Sequence, residues 1–170
     1  HRKELLLLNE QDVARLASYC SKIEPRIDAL VDRFYQQQTA ITEIALLIGD
    51  ADTLIRLRTA QRRYVLDLFS GHYDLEYVNN RLRIGLVHKR IGVEPKLYLA
   101  AINTLKALLI EDMFEQIRDE PERLVMLAAL DKLFLFELTL FCFLTGNNDM
   151  HLKNFSMIES ASGWILSPAY

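Results

Sequence analysis

Arg83-Ile84-Gly85-Leu86-Val87-His88-Lys89-Arg90-Ile91-Gly92-Val93-Glu94-Pro95-Lys96-Leu97-Tyr98 reads as the end of one helix, a turn and the start of the next. Ile84, Val87, His88 and Ile91 fall at i, i+3, i+4 and i+7, the spacing of one face of an amphipathic helix. Gly92 suits the position just past a helix end, and Lys89 and Arg90 suit the negative end of the helix dipole. Pro95 suits the first turn of the following helix. One histidine therefore rides the last turn of a helix, pinned against the start of another. A histidine on an apolar face needs a hydrogen-bond partner or a metal. Spacing alone leaves both readings open, a satisfied core residue and a ligand.

Helical patterns continue outward from this corner in both directions. Asn9 reads as an N-cap with Asp12 in the first turn, and Val13, Leu16, Ala17 and Cys20 form a stripe. Pro25 opens a second helix carrying Ile27, Leu30, Val31, Phe34 and Tyr35. A short helix from Ile41 to Ile48 is closed by Gly49, and Asp50 or Asp52 caps the next, which carries Leu54, Leu57, Tyr64, Val65, Leu68 and Phe69. Ser70-Gly71 breaks it, and the histidine helix runs roughly from Asp74 to Ile91. A long helix follows Pro95 to about Ile117, and Pro121 opens a last one to about Leu144. No alternating strand pattern precedes residue 155, and Trp164-Ile165-Leu166 is the sole late strand candidate. The expectation is an all-α domain of about seven helices with an irregular C-terminal tail.

Composition narrows the function classes. The 170 residues are 51% hydrophobic with 6 Gly and 4 Pro, enough for one domain with a real core and long helices. A net charge of -3 gives no reason to expect a nucleic-acid partner. Cys20 and Cys142 have no metal-type spacing and read as two buried free thiols of a cytoplasmic, reducing setting. His1 to Glu4 precedes only a short apolar run, Leu5 to Leu8, so no secretory signal is expected. Asp131, Lys132 and Glu137 interrupt the long apolar stretch from Leu124 to Leu144, which reads as a buried helix without membrane insertion.

The string VHKRIGVEPKLYLAA, residues 87–101, resembles the proximal segment of globin-coupled sensor domains. The resemblance covers about residues 5–137 and implies a globin-like fold, with His88 as the axial ligand of a haem b iron. The second imidazole nitrogen would then donate to a carbonyl or carboxylate that fixes the ring. Arg33-Phe34-Tyr35 is similar to the family's distal tyrosine segment, which implies a phenol donating to bound O₂ or another diatomic gas. Taken on its own, Tyr35 reads as an ordinary amphipathic core tyrosine. Leu57, counted back from Arg62-Arg63-Tyr64, matches an apolar distal position that would exclude water. Phe34, Tyr64, Phe69, Ile84, Val87, Tyr98 and Ile102 are the other expected pocket walls, Tyr64 standing where many sensor globins carry Trp. Arg83, Lys89 and Arg90 are candidates for the haem propionates or simply a solvated face, and His72 is expected to be exposed.

The resemblance also implies a mechanism: a gas-dependent pull on His88, a homodimer through the last two helices, and a separate output signalling domain. An apolar stripe on Leu105, Leu108 and Leu109, or on the Leu124–Phe143 helix, is the expected dimer face. The sensor domain is expected to occupy residues 1–145 and to be non-catalytic. Residues 146–156, Gly-Asn-Asn-Asp-Met-His-Leu-Lys-Asn-Phe-Ser, resemble the catalytic loop of HipA-type kinases, which would make Asp149 the catalytic carboxylate and Asn154 a magnesium ligand. No Gly-rich nucleotide loop accompanies them, so residues 146–170 read as a tail and not as an independent domain. The competing readings are a kinase fragment and a cofactor-free all-α scaffold.

Overall fold

The computed structural model describes residues 8–144, 157–160 and 163–166, with side chains described through Phe141. Among them are seven α-helices: α1 (Glu10–Ile23), α2 (Ile27–Thr39), α3 (Thr42–Ile48), α4 (Ala51–Leu68), α5 (Leu75–Arg90), α6 (Pro95–Gln116) and α7 (Glu120–Leu144). The all-α architecture is thus the one expected. Helix starts follow the capping chemistry. Asn9 and Asp12 form a capping box at α1, Asp50 accepts from the Thr53 amide at 2.7 Å, and Asp74 accepts from the Tyr77 amide at 3.0 Å. Gly49, Gly71 and Gly92 take positive φ at the breaks after α3, α4 and α5.

The core lies where α7 packs against α1 and α5, and where α2 packs against α4 and α6. Leu16, Tyr19, Leu68, Phe69, Leu109 and Leu130 are fully buried there. Polar ties cross it at its edges. Asp112 on α6 receives the Arg26 guanidinium at 2.7 and 2.9 Å and the Tyr19 hydroxyl at 2.5 Å. Lys132 on α7 reaches the Asp12 carboxylate at 2.7 Å. Among the described residues no helix is long and apolar enough to cross a membrane.

Four expectations need correction. Pro25 does not open the second α-helix. It sits in a 3₁₀ turn, Glu24–Arg26, which fits its fixed φ and missing N–H, and α2 begins at Ile27. Leu105, Leu108 and Leu109 are not an exposed stripe; at 1%, 2% and 0% exposure they face the core. The exposed apolar residues of the last two helices are instead Leu99, Phe114, Leu124, Val125 and Leu135. The tail is not wholly irregular, because β1 (Met157–Ser160) pairs antiparallel with β2 (Gly163–Leu166), Ile158 opposite Ile165 and Glu159 opposite Trp164. Two residues separate the strands in sequence, the commonest hairpin spacing, and Ile and Trp favour a pleated surface. Cys20 is a free thiol but only half-buried. The Cys142 side chain, Asp149 and Asn154 lie outside the described residues.

Candidate ligand cavity at His88

The end of α5 is built to hold one imidazole. The Gly92 amide bonds the Lys89 carbonyl at 3.2 Å and the Val93 amide bonds the His88 carbonyl at 3.0 Å, with Gly92 at φ 78°. Pro95 then starts α6, as expected. His88 Nδ1 lies 2.8 Å from the Ile84 carbonyl oxygen. A carbonyl can only accept, so Nδ1 carries a proton, and in the neutral tautomer this sets, Nε2 is the nitrogen with the lone pair. The Tyr98 ring meets the imidazole edge-on at 5.2 Å and stacks on Phe141 at 3.8 Å. The imidazole is therefore oriented by a hydrogen bond on one side and a ring on the other.

His88 lines a mostly apolar cavity of about 170 Å³, smaller than the roughly 300–1,000 Å³ of small-molecule clefts. Phe34 and Tyr35 enter it from α2, Leu57 and Tyr64 from α4, Ile84 from α5, and Tyr98 and Ile102 from α6. Burial pushes the Tyr35 phenol up to about 12, against a smaller opposing effect of Arg58. Among the described residues no group hydrogen-bonds its hydroxyl. Tyr64 instead turns its hydroxyl away to the Glu137 carboxyl at 2.8 Å.

Two expected wall residues are elsewhere. Phe69, just past the end of α4, packs on Tyr19 with centroids 5.5 Å apart. Val87 is 51% exposed, because the cavity face of α5 follows Ile84 and His88, four residues apart. Arg83, Lys89, Arg90 and His72 are exposed. Residues not anticipated complete the lining: Ile44 and Ile48 from the short α3, Leu97 and Ala101 from α6, and two glutamines, Gln38 and Gln61. The isoleucines carried a signal, since their i, i+4 spacing puts both on one face of α3.

Beneath the cavity lies a buried polar cluster that sequence reading did not find. Glu137 on α7, 4% exposed, receives the Tyr64 and Tyr77 hydroxyls and the Arg81 guanidinium, the last at 3.1 Å. Arg81 also donates to the Tyr64 carbonyl at 3.2 Å and covers the Tyr64 ring at 3.9 Å. Burial alone would lower the guanidinium's proton affinity, yet Glu137, with Tyr77 and Tyr64, holds it above its ordinary value.

An all-α fold with a single oriented histidine facing an apolar cavity defines a globin-type domain. The chain belongs to the protoglobin family, whose sequence profile matches residues 1–143. The heme-based aerotactic transducer HemAT of Halobacterium salinarum is 30% identical over 111 residues, covering 65% of this chain and 23% of the transducer. The chain thus spans about a quarter of that curated relative's length. The globin domain of a Geobacter sulfurreducens globin-coupled sensor superposes with a TM-score of 0.80 at 24% identity, covering 84% of this chain and 94% of that one. At that identity the likeness speaks for the fold. The sensor-globin resemblance read from residues 87–101 is upheld by these relatives.

Proposed function

We propose that residues 1–145 form a haem-based gas-sensing globin domain, with His88 as the axial ligand and O₂ as the gas. The observation that carries this reading is the His88–Ile84 hydrogen bond at a residue that lines the cavity, because it occupies Nδ1 and leaves Nε2 as the ring nitrogen available to a metal. Among the described residues no cluster of three His, Cys, Asp or Glu side chains could hold a bare ion, so a metal at His88 would arrive with a macrocycle of its own. The apolar walls of the cavity suit a porphyrin. A haem b held there would supply one coordination position for a diatomic gas.

The chain's own residues do the rest. Tyr35 donates its phenolic hydrogen to a polar gas molecule, Leu57 and Ile102 keep water sparse, and the Ile84 carbonyl fixes the imidazole. Displacement of His88 is transmitted through α5 into α7 by the Arg81–Glu137 contact. A homodimer through Leu99 on α6 and Leu135 on α7 would carry the signal to an output domain. The reading makes the domain cytoplasmic and non-catalytic, acting on a partner module.

Purified protein loaded with haem should show a Soret band that moves when O₂ or CO is added. His88→Ala should abolish stable haem retention. Retention unchanged in that variant would assign the iron to another side chain, and a protein that takes up no haem would overturn the proposal.

A further inference from the structure

Among the described donors to the Glu137 carboxylate, Tyr64 alone also lines the His88 cavity; Tyr77 and Arg81 do not. Leu57, Gln61 and Tyr64 fall at i, i+4 and i+7, and this one face of α4 forms part of the cavity wall. The Tyr64 hydroxyl leaves that wall and donates to Glu137 on α7 at 2.8 Å. Helix α4 packs on α2, whereas α7 packs on α1, α5 and α6. The bond therefore joins two helices that share no broad face among the described residues. Arg81 lies 3.9 Å from the Tyr64 ring centre and 4.3 Å from that of Tyr77, and it donates to the Tyr64 carbonyl at 3.2 Å. Tyr64 is thus gripped at ring, hydroxyl and backbone. A rigid ring held this way moves with α4 and cannot swing aside.

We propose that Tyr64 couples the cavity to α7, as a second input beside His88. A gas pressing on the Leu57–Tyr64 face shifts α4, and the Tyr64 hydroxyl carries that shift to Glu137. The carboxylate follows, because a buried charged acceptor that loses a donor is left unsatisfied, at a cost in stability. Glu137 then takes displacements from two walls of the cavity, from α5 through Arg81 and from α4 through Tyr64. Phenylalanine at this position would keep the wall and lose the link. The inference rests on the haem reading above.

The test is amide hydrogen exchange in α7 around Glu137, in haem-loaded protein with and without CO. Coupled sites commonly alter one another about 5- to 150-fold, so CO should change exchange there at least about fivefold in the wild type. Tyr64→Phe keeps a ring against the cavity and leaves Glu137 with Tyr77 and Arg81. Its Soret band should still move with CO, while the exchange difference falls below about twofold. Tyr77→Phe takes a hydroxyl from the same carboxylate without touching the cavity, and should keep the wild-type difference. A full difference in Tyr64→Phe would overturn the proposal and leave α5 as the carrier. Loss of the difference in Tyr77→Phe as well would also overturn it and reduce the cluster to a structural brace. So would a wild type in which CO moves the Soret band and leaves α7 exchange unchanged, with the haem reading intact. If Tyr64→Phe does not fold, the wild type and Tyr77→Phe decide on their own. Wild-type protein that binds no haem would sink the haem reading and this inference together.

Discussion

His88 differs from an ordinary core histidine in which nitrogen is engaged. Its Nδ1 is committed to Ile84, four residues back on its own helix, so no distant partner needs to form before the ring is oriented. Tyr35 is the opposite case, a buried phenol with nothing donated. One hydrogen bond to a polar ligand is worth about 1 kcal/mol, so Tyr35→Phe should speed O₂ dissociation roughly five- to tenfold in stopped-flow experiments. Because burial raises this phenol to about 12, the donor persists where an ordinary phenol, at about 10, is half ionised. The wild-type dissociation rate should therefore stay flat from neutral pH to about 10, the range over which the fold persists. An inflection near 10 would show that the phenol is solvated. Apolar stripes placed both residues on inward helix faces, but only the sensor-globin resemblance singled them out from ordinary core residues. Gln38 was not legible, although it lies four residues after Phe34 and seven after Val31, inside the buried period of α2. The run Gln36-Gln37-Gln38 read as a blurred helix end, and composition masked periodicity.

Helix ends are where local chemistry predicts structure best, and α5 shows why. Asp74, Gly92 and Pro95 each act on backbone groups within a few residues, so their roles need no tertiary context. The same logic ranks two glycines. Gly92 has φ 78°, and a Cβ there would meet nothing within 4 Å. Gly92→Ala therefore costs only the left-handed backbone, about 1–2 kcal/mol. Gly71 has φ 73°, and its Cβ would come 3.0 Å from the Ala17 Cβ, so α1 would also have to give way. In denaturant melts Gly71→Ala should lose more stability than Gly92→Ala; the reverse order would mean that the corner holding His88 is under strain not visible in its contacts. Faces were less legible than ends. α6 is rich in Leu and Ala around its circumference, and only packing against α2 and α7 decides that Leu105, Leu108 and Leu109 point inward while Leu99 does not. Phe69 failed for a related reason, lying past the last turn of α4 where helical period no longer applies.

Across the whole molecule, Glu137 gathers α4, α5 and α7 at one buried carboxyl, through residues 56 to 73 positions distant in sequence. No local pattern announces such a cluster; from the sequence, Glu137 only interrupted an apolar run. Burying it with Arg81 is costly unless every donor is used, and the two hydroxyls and the guanidinium supply them. This arrangement sets the response to alkali. Burial raises Tyr19, Tyr35, Tyr64, Tyr73, Tyr77 and Tyr98 above the ordinary phenol value, and for Tyr64 and Tyr77 the adjacent Glu137 is the next largest cause. A phenol raised in the folded state binds its proton more tightly there than in the unfolded chain. Its stabilisation is complete below about 10, the unfolded value, and is lost as pH climbs through the folded one. Ionising Tyr64 or Tyr77 would also set a second negative charge against Glu137 with only Arg81 to answer it. The protein should therefore hold its helical circular dichroism to about pH 10 and then unfold in one cooperative step, with tyrosinate absorbance appearing in that same step. Phenols titrating gradually near pH 10 with the helices intact would show that these hydroxyls reach solvent and that the cluster does not bind α7 to the cavity helices.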